Sequence, residues 1–276
     1  MARYGMIIDI TKCTGCYNCF LACRDEFAGN EYPGYAAAQP MTGMNWMRLI
    51  ERERGQYPKV KVAYTPVTCM QCENAGCIKV AQKEAVYRRP DGIVIIDPVK
   101  AKGQPQIVAG CPYRVIEWNE EKQVPQKCIL CAHLLDQGEK VPRCVESCPT
   151  GALVFGNLDD PKSEISRLMA TGTTEALHPE YGMKEKVRYI SLPRKFIAGT
   201  VIYGDVDEVA VGLTVTLSGN GKSLAAITNG FGDFEFEGLA DNTDYAVKIA
   251  APGYKAKSVK ARTAKDIYLG EIVLKK

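Results

Sequence analysis

The sequence predicts an α+β domain followed by a small antiparallel β-sandwich. All twelve cysteines lie between Cys13 and Cys148, and none follows. Short apolar runs and turns rich in Gly and Pro surround these cysteines, which indicates short strands and helical turns. From Ile197 onward the chain instead repeats short alternating runs separated by Gly, Asn and Asp. That second pattern is typical of small β-sandwiches.

Length and composition limit the classes of protein that the sequence can encode. The chain has 276 residues, 46% of them hydrophobic and 24% charged, with a formal net charge of +3. These values fit about two globular domains. No apolar run reaches the length of about 18 residues that a membrane helix needs, and residues 1–10 lack the charged and apolar regions of an export signal. We therefore expect a cytoplasmic protein, with export bound to a signal-carrying partner as the alternative.

The first cysteine motif has the spacing C-x2-C-x2-C-x3-C. It comprises Cys13, Cys16, Cys19 and Cys23. In bacterial ferredoxins the first three thiolates of this motif bind one [4Fe–4S] cluster, and the fourth binds the other cluster of a two-cluster protein. Cys23 therefore predicts a second cluster. Disulfides have no reason to repeat this spacing, and structural zinc is the alternative.

The remaining cysteines form two further groups. In one, Cys69, Cys72 and Cys77 have the spacing C-x2-C-x4-C and Cys111 follows; the other comprises Cys128, Cys131, Cys144 and Cys148. Cys111 and Cys148 are each followed by proline, as a fourth ferredoxin ligand is. Exchange of fourth ligands then predicts three [4Fe–4S] clusters with no cysteine left over. The predicted ligand sets are Cys13, Cys16, Cys19 and Cys148; Cys23, Cys128, Cys131 and Cys144; and Cys69, Cys72, Cys77 and Cys111.

A fourth ligand set is absent in register. Counting back from Cys111 with the ferredoxin spacing reaches Ala101, Gln104 and Ile107, and the reciprocal position beyond Cys77 is Ala81. Chance replacement would not remove one complete set and spare every other. We interpret the region as a four-cluster design that has lost one cluster, and we expect side chains, including Gln104, to fill the vacated space.

Other elements are predicted from local patterns. The predicted strands of the first domain are 5–10, 46–53, 60–64, 93–96 and 115–118. A hairpin turn is expected at Pro90-Asp91-Gly92, and a helix from Asp160, as N-cap, to Ala170. The predicted strands of the sandwich are 197–203, 213–218, 224–228, 233–236, 245–250, 255–261 and 267–273. The expected domains are 1–175 and 196–276, joined by a linker at 176–195.

Polar residues outside the cysteine motifs give no sign of catalysis. His133 is interpreted as a packed or capping histidine, with a hydrogen bond to a cluster or a partner's cofactor as the less favoured alternative. Glu26 is interpreted as a solvated or salt-bridged carboxylate, because no acid–base constellation accompanies it. We therefore expect no catalytic residue in this chain.

The cysteine motifs resemble those of the iron–sulfur subunits of molybdenum or tungsten bis-MGD oxidoreductases, the dimethyl sulfoxide reductase family. Within that family, the small subunits of pyrogallol–phloroglucinol transhydroxylases are similar in M-x-I-D-x-x-K-C, ending at Cys13, and in the stretches 51–55, 92–95 and 131–135. The stretches 199–201, 213–215 and 232–236 are similar to transthyretin-like or Cna-B-type modules.

This resemblance implies a double ferredoxin-like domain, with one ferredoxin module nested in the other. It also implies a heterodimer that is open to further oligomerisation, in which a large subunit holds the Mo or W bis-MGD cofactor and the active site. The alternatives are a subunit of a reductive catechol dehydroxylase, an autonomous polyferredoxin, and a scaffold whose clusters only support folding. No nucleic acid partner and no membrane span are expected.

Overall fold

The computed structural model describes residues 2–276 and consists of two compact units. Residues 2–51 and 64–192 form the first, which we call the cysteine unit because it contains all twelve cysteines. Residues 52–63 and 193–276 form the second, which we call the β unit. These bounds differ from the predicted domains in two places. Residues 52–63 belong to the β unit, and residues 176–192 belong to the cysteine unit and do not form a linker.

The cysteine unit consists of short elements joined by loops. Its strands are β1 (Tyr4–Asp9), β2 (Arg48–Gln56), β3 (Lys59–Val67), β4 (Val86–Arg88), β5 (Val94–Ile96), β6 (Glu117–Asn119), β7 (Val124–Gln126), β8 (Leu153–Asn157), β9 (Thr174–Glu175) and β10 (Val187–Ile190). Its α-helices are α1 (Asn18–Phe27), α2 (Gly76–Val80), α3 (Gln106–Ala109), α4 (Ala132–Asp136), α5 (Arg143–Glu146) and α6 (Glu164–Ala170). Strands β2 and β3 form a hairpin whose distal part is the segment 52–63 of the β unit.

A four-stranded sheet of order β8-β1-β10-β9 organises the cysteine unit. Strand β1 is antiparallel to β8 and parallel to β10, with Met6 opposite Val187. The predicted linker was wrong here because β10 is too short to show a clear alternation in sequence. Its buried residues, Val187 and Tyr189, nevertheless alternate with partly exposed ones, and the Tyr189 hydroxyl donates to the Pro66 carbonyl at 2.9 Å.

Of two local predictions for the cysteine unit, the hairpin turn is correct and the start of the helix is not. The Pro90-Asp91-Gly92 turn is confirmed: Gly92 has φ +85° and its N–H donates to the Arg89 carbonyl at 2.9 Å. The predicted start of the helix was wrong, because α6 begins at Glu164 with Ser163 as N-cap. Asp160 instead accepts a hydrogen bond from the Lys162 N–H at 2.9 Å, which closes a turn before the helix.

The β unit contains two four-stranded sheets. Its further strands are β11 (Lys195–Tyr203), β12 (Glu208–Val209), β13 (Thr214–Gly219), β14 (Lys222–Ile227), β15 (Asp233–Leu239), β16 (Asp244–Ile249), β17 (Lys257–Arg262) and β18 (Ile267–Leu274). One sheet has the order β12-β11-β15 with β18 also paired to β11, and the other has the order β14-β13-β16-β17. The seven predicted strands are all present, whereas the two-residue strand β12 was missed.

The predicted antiparallel arrangement holds for every pair in the β unit except one. Strand β18 runs parallel to β11, from Ile197 opposite Ile267 to Tyr203 opposite Leu274. Alternating residues of the two sheets form a buried apolar core. The core therefore depends on the period-two pattern from which the strands were predicted.

Asp266 is a buried, hydrogen-bonded carboxylate of the β unit. It is 8% exposed, and it accepts hydrogen bonds from the Arg54 guanidinium at 2.8 and 3.1 Å and from the Phe196 N–H at 3.0 Å. Although burial opposes the effect, these bonds hold the pKa of Asp266 below its usual value. The stabilisation is therefore present above the unfolded pKa of about 4 and is lost as the pH falls through the folded pKa.

We expect Asp266→Ala to destabilise the β unit by about 3–5 kcal/mol, because it leaves the largely buried Arg54 guanidinium, whose side chain is 13% exposed, without its counter-charge. Thermal or denaturant unfolding of the full chain measures the change. Asp244→Ala is the matched control, since Asp244 pairs with Arg262 at 3.4 Å on an exposed surface and should cost less than about 1 kcal/mol. Equal effects of the two substitutions would contradict the importance assigned to burial.

Candidate metal centres

The first cysteine loop lies between β1 and α1 and contains the most accessible thiols. Cys16 is exposed, Cys13 is half-buried and Cys19 is buried. Burial raises the pKa of Cys19 to about 11, with further contributions from the nearby thiolates of Cys13 and Cys148. A Cβ on Gly15, which has φ +72°, would lie 2.5 Å from the Tyr64 ring, so the tight loop requires glycine.

Cys148 is brought to this loop from 125 residues beyond Cys23. Its thiolate contributes to the raised pKa values of both Cys13 and Cys19. Although burial opposes the effect, hydrogen bonds from the backbone N–H groups of Leu153 and Ala152 help to hold the pKa of Cys148 below its usual value. The backbone here stabilises a thiolate, which is the form that binds metal.

Cys23 lies one helical turn beyond Cys19 on α1 but is surrounded by a different set of thiols. Burial raises its pKa well above the usual value, and the next contributions come from Cys128 and Cys131. The pKa of Cys144 is raised in the same way, by burial and then by Cys128 and Cys131. The structure therefore brings Cys23 to Cys128, Cys131 and Cys144. The Leu130 N–H also donates to the Cys128 sulfur at 3.3 Å.

The remaining four cysteines line one cavity. They are Cys69, Cys72, Cys77 and Cys111, and the cavity has a volume of about 360 Å³, which includes space open to solvent. A Cβ on Gly76 would lie 2.5 Å from the Gly110 carbonyl oxygen, so glycine lets α2 approach Gly110, the residue just before Cys111. Burial raises the pKa of Cys77 to about 11, with contributions from the Cys69 and Cys111 thiolates.

The set that contains Cys23 lies next to each of the other two sets. Cys19 of the first set contributes to the raised pKa of Cys23 in the second, and Cys69 of the third set contributes to that of Cys128 in the second. The set containing Cys23 is therefore the middle one. We name the sets after Cys13, Cys23 and Cys69. Within residues 2–276, no three His, Cys, Asp or Glu side chains converge on a single-ion site.

The cavity of the Cys69 set suits an anionic iron–sulfur cluster. Its wall combines four thiols with apolar side chains, including Met70, Val94 and Ile116, and one buried cation, Lys127. Thiolates are the ligands that such clusters use, and burial with hydrogen bonds to sulfur tunes them. The donor set, the wall and the charge therefore all fit the predicted group.

The four positions of the missing ligand set lie together in a packed region. Ala101 and Ile107 are fully buried in one apolar cluster, against which Ala81 packs. Gln104 accepts a hydrogen bond from the Gln82 N–H at 2.9 Å and donates to the Lys100 carbonyl at 2.8 Å. The expectation that side chains fill this space, with Gln104 among them, is confirmed. Cys77 and Cys111 border the same apolar cluster.

His133 is a packed histidine, as the favoured interpretation held. Its ring is 2% exposed, stacks on Tyr32 at a centroid distance of 3.8 Å, and lies with Nε2 2.8 Å from the Glu26 carboxylate. Glu26 also binds the Arg143 guanidinium at 3.0 Å. This carboxylate therefore ties α1 to the elements that carry Cys131 and Cys144, which confirms its salt-bridged interpretation.

One charged residue of this region was missed by the sequence analysis. Lys127 precedes Cys128 directly and is 1% exposed. A single lysine beside a cysteine gives no sequence signal for burial, because lysine is almost always at the surface.

The interleaved cysteine sets and the short βα elements around them define a ferredoxin-type iron–sulfur protein. Residues 60–158 match the family model described as a 4Fe-4S dicluster domain. The chain is 42% identical over 282 aligned positions to the pyrogallol hydroxytransferase small subunit of Pelobacter acidigallici, an alignment covering 99% of this chain and 100% of that protein. The chain therefore belongs to the family of iron–sulfur subunits that includes this small subunit.

Two further relatives match a smaller share of the chain. The iron–sulfur subunit of a putative dimethyl sulfoxide reductase of Halobacterium salinarum is 34% identical, over 69% of this chain and 80% of that protein. A tetrathionate reductase subunit of Salmonella typhimurium is also 34% identical, over 71% of this chain and 75% of that protein. Among solved structures, 5-hydroxyisourate hydrolase of Klebsiella pneumoniae aligns with 30% of this chain and 92% of its own, at 16% identity and a TM-score of 0.26.

Proposed function

We propose that the chain is the electron-transfer iron–sulfur subunit of a two-subunit molybdenum or tungsten enzyme that acts on hydroxylated aromatic rings. The observation that carries the proposal is the 42% identity to the pyrogallol hydroxytransferase small subunit along the whole of both chains. The active site and the bis-MGD cofactor would then lie in a large partner subunit. The packed histidine and salt-bridged carboxylate of this chain agree with a role outside the chemical step.

We infer that the chain binds three [4Fe–4S] clusters, one in each cysteine set. The adjacency of Cys148 to the Cys13 loop and of Cys23 to Cys128 and Cys131 supports the exchange of fourth ligands. The same exchange supports a double ferredoxin-like domain with one module nested in the other. When bound, the clusters supply one-electron carriers, while this chain holds them by thiolates and tunes them by burial and N–H···S hydrogen bonds.

The order of the sets suggests a direction for electron transfer. The Cys13 set reaches the surface through Cys16, the Cys23 set is buried, and the Cys69 set borders the filled fourth position. Electrons would therefore exchange with the partner at the exposed Cys13 end and move inward. The filled position ends the row, so the carrier chain would be short and suited to a reaction that needs little long-range delivery.

The location and the net reaction are also proposals. Twelve unpaired cysteines suit the reducing cytoplasm. Within residues 2–276 the structure contains no helix with the length and apolar character of a membrane span. Transfer of a hydroxyl group between rings is redox-neutral, whereas removal of a ring hydroxyl is reductive. A need for an external electron donor during turnover would favour the catechol dehydroxylase alternative.

Metal and mass analysis of the native complex tests the proposal. We expect about twelve iron and twelve acid-labile sulfide per chain, together with molybdenum or tungsten and a co-purifying large subunit. An active chain without a large partner would instead support an autonomous polyferredoxin. Tetrahedral zinc in place of iron would contradict the proposed electron-transfer role altogether.

A further inference from the structure

Lys127 is a fully buried cation at the boundary of two cysteine sets. It follows β7, directly precedes Cys128 of the Cys23 set, and lines the cavity of the Cys69 set. Its ammonium donates hydrogen bonds to the Val94 carbonyl and, at 3.1 Å, to the Cys128 carbonyl. Its side chain thus touches backbone next to both sets.

The charge of Lys127 lacks a carboxylate partner. Across residues 2–276, no aspartate or glutamate forms an ion pair with its ammonium, and its hydrogen-bond acceptors are neutral carbonyls. An unpaired buried charge is strongly destabilising, so buried lysines are normally paired or neutral. A tetrathiolate cubane is an anion with a net charge of about −2, and a cluster in each neighbouring set would provide the missing counter-charge.

Lys127 lies beside ligands of both sets. It lines the same cavity wall as Cys77 of the Cys69 set. It also donates a hydrogen bond to the carbonyl of Cys128, a ligand of the Cys23 set. No cysteine of the Cys13 set lines that cavity.

We propose that Lys127 is a positioning residue that serves as the shared counter-charge of the clusters in the Cys23 and Cys69 sets and makes both easier to reduce. The proposal rests on the proposed function. Reduction adds one electron to a buried anionic cluster, and a fixed positive charge nearby favours the more negative form. Because Lys127 lies between the two sets, one side chain would raise the reduction potentials of both clusters together, so that both accept electrons more readily.

Glu185 provides a matched control of opposite charge. It is 9% exposed and accepts a hydrogen bond from the Tyr113 hydroxyl. Tyr113 lines the cavity of the Cys69 set. A substitution at Glu185 should therefore change one cluster, in the direction opposite to a substitution at Lys127.

Redox titration of the purified complex, monitored by electron paramagnetic resonance, tests the proposal. Lys127→Gln removes the charge but keeps a hydrogen-bond donor, and Lys127→Met removes both. In each variant we expect two of the three midpoint potentials to become more negative by at least about 59 mV, a tenfold change in the reduction equilibrium of a one-electron couple. The third, from the Cys13 set, should stay unchanged. Glu185→Gln should make one potential more positive.

The possible outcomes separate this proposal from the proposed function. Unchanged potentials in Lys127→Gln, a shift in Lys127→Met alone, or an equal shift of all three clusters would contradict the shared counter-charge. If Lys127→Gln loses iron, loss limited to the Cys23 and Cys69 sets supports the proposal, whereas loss of every cluster contradicts it. An unmodified complex without three reducible clusters would contradict the proposed function, and this proposal with it.

Discussion

Replacement of Cys23 by alanine is expected to remove one cluster, and not the cluster of its nearest neighbours in sequence. The structure surrounds Cys23 with Cys128 and Cys131, which affect its pKa more than Cys19 does. Since a cubane needs four ligands, loss of Cys23 should empty the Cys23 set while the Cys13 set keeps its iron. Iron should fall from about twelve to about eight per chain.

Comparison with two other variants identifies the cluster that is lost. Cys131→Ala should eliminate the same paramagnetic signal as Cys23→Ala, because both residues belong to one set. Cys16→Ala should eliminate a different signal. If Cys23→Ala instead reproduces the spectrum of Cys16→Ala, the exchange of fourth ligands is wrong, and each motif binds its own cluster.

The cysteine sets could be predicted because their chemistry fixes the spacing in sequence. Three thiolates can reach one cubane from a single loop only if they recur at short intervals, and Cys13, Cys16 and Cys19 do so. The same spacing, applied backwards from Cys111, predicts a lost fourth ligand set that includes Ala101 and Ile107. Both lie fully buried in one apolar cluster, as the register argument expected.

Features that depend on long-range pairing could not be predicted. Strand β10 is a four-residue strand that pairs in parallel with β1, with paired residues 181 positions apart in sequence, and a run so short shows no clear period. The segment 52–63 belongs to the β unit because Arg54 binds Asp266, a pairing across 212 residues. No local sequence pattern indicates such distant partners. The predicted domain boundaries therefore differ from the observed ones at residues 52–63 and 176–192.

Charge beside the clusters was also hidden from the sequence. Lys127 and Glu185 look like surface residues in sequence, yet both are buried beside the Cys69 set. A buried charge is stable only where an opposite charge or strong hydrogen bonds compensate it. Glu185 is compensated by the Tyr113 hydroxyl. For Lys127 the compensation would come from the anionic clusters and not from another side chain, so the sequence holds no pairing pattern between Lys127 and an acidic residue.

Restoring cysteine at all four vacated positions is expected to create a fourth cluster. The change combines Ala81→Cys, Ala101→Cys, Gln104→Cys and Ile107→Cys. The four positions lie in one region of the cysteine unit. Cys77 and Cys111 of the Cys69 set contact the same apolar cluster. Removal of the Gln104 and Ile107 side chains vacates space, and four thiolates complete the ligand set that a cubane requires.

The variant should bind about sixteen iron per chain, against about twelve in the unmodified chain. Reconstitution under anaerobic conditions, with iron and sulfide analysis, measures the gain. The matched control keeps Gln104 and carries only the other three cysteines, so it should stay at about twelve because one ligand is missing. The Gln104 amide also bonds the backbone at Gln82 and Lys100, so its replacement should cost about 1–3 kcal/mol that cluster binding must exceed. A quadruple variant that keeps three intact clusters but gains no iron would show that these positions do not form a ligand set.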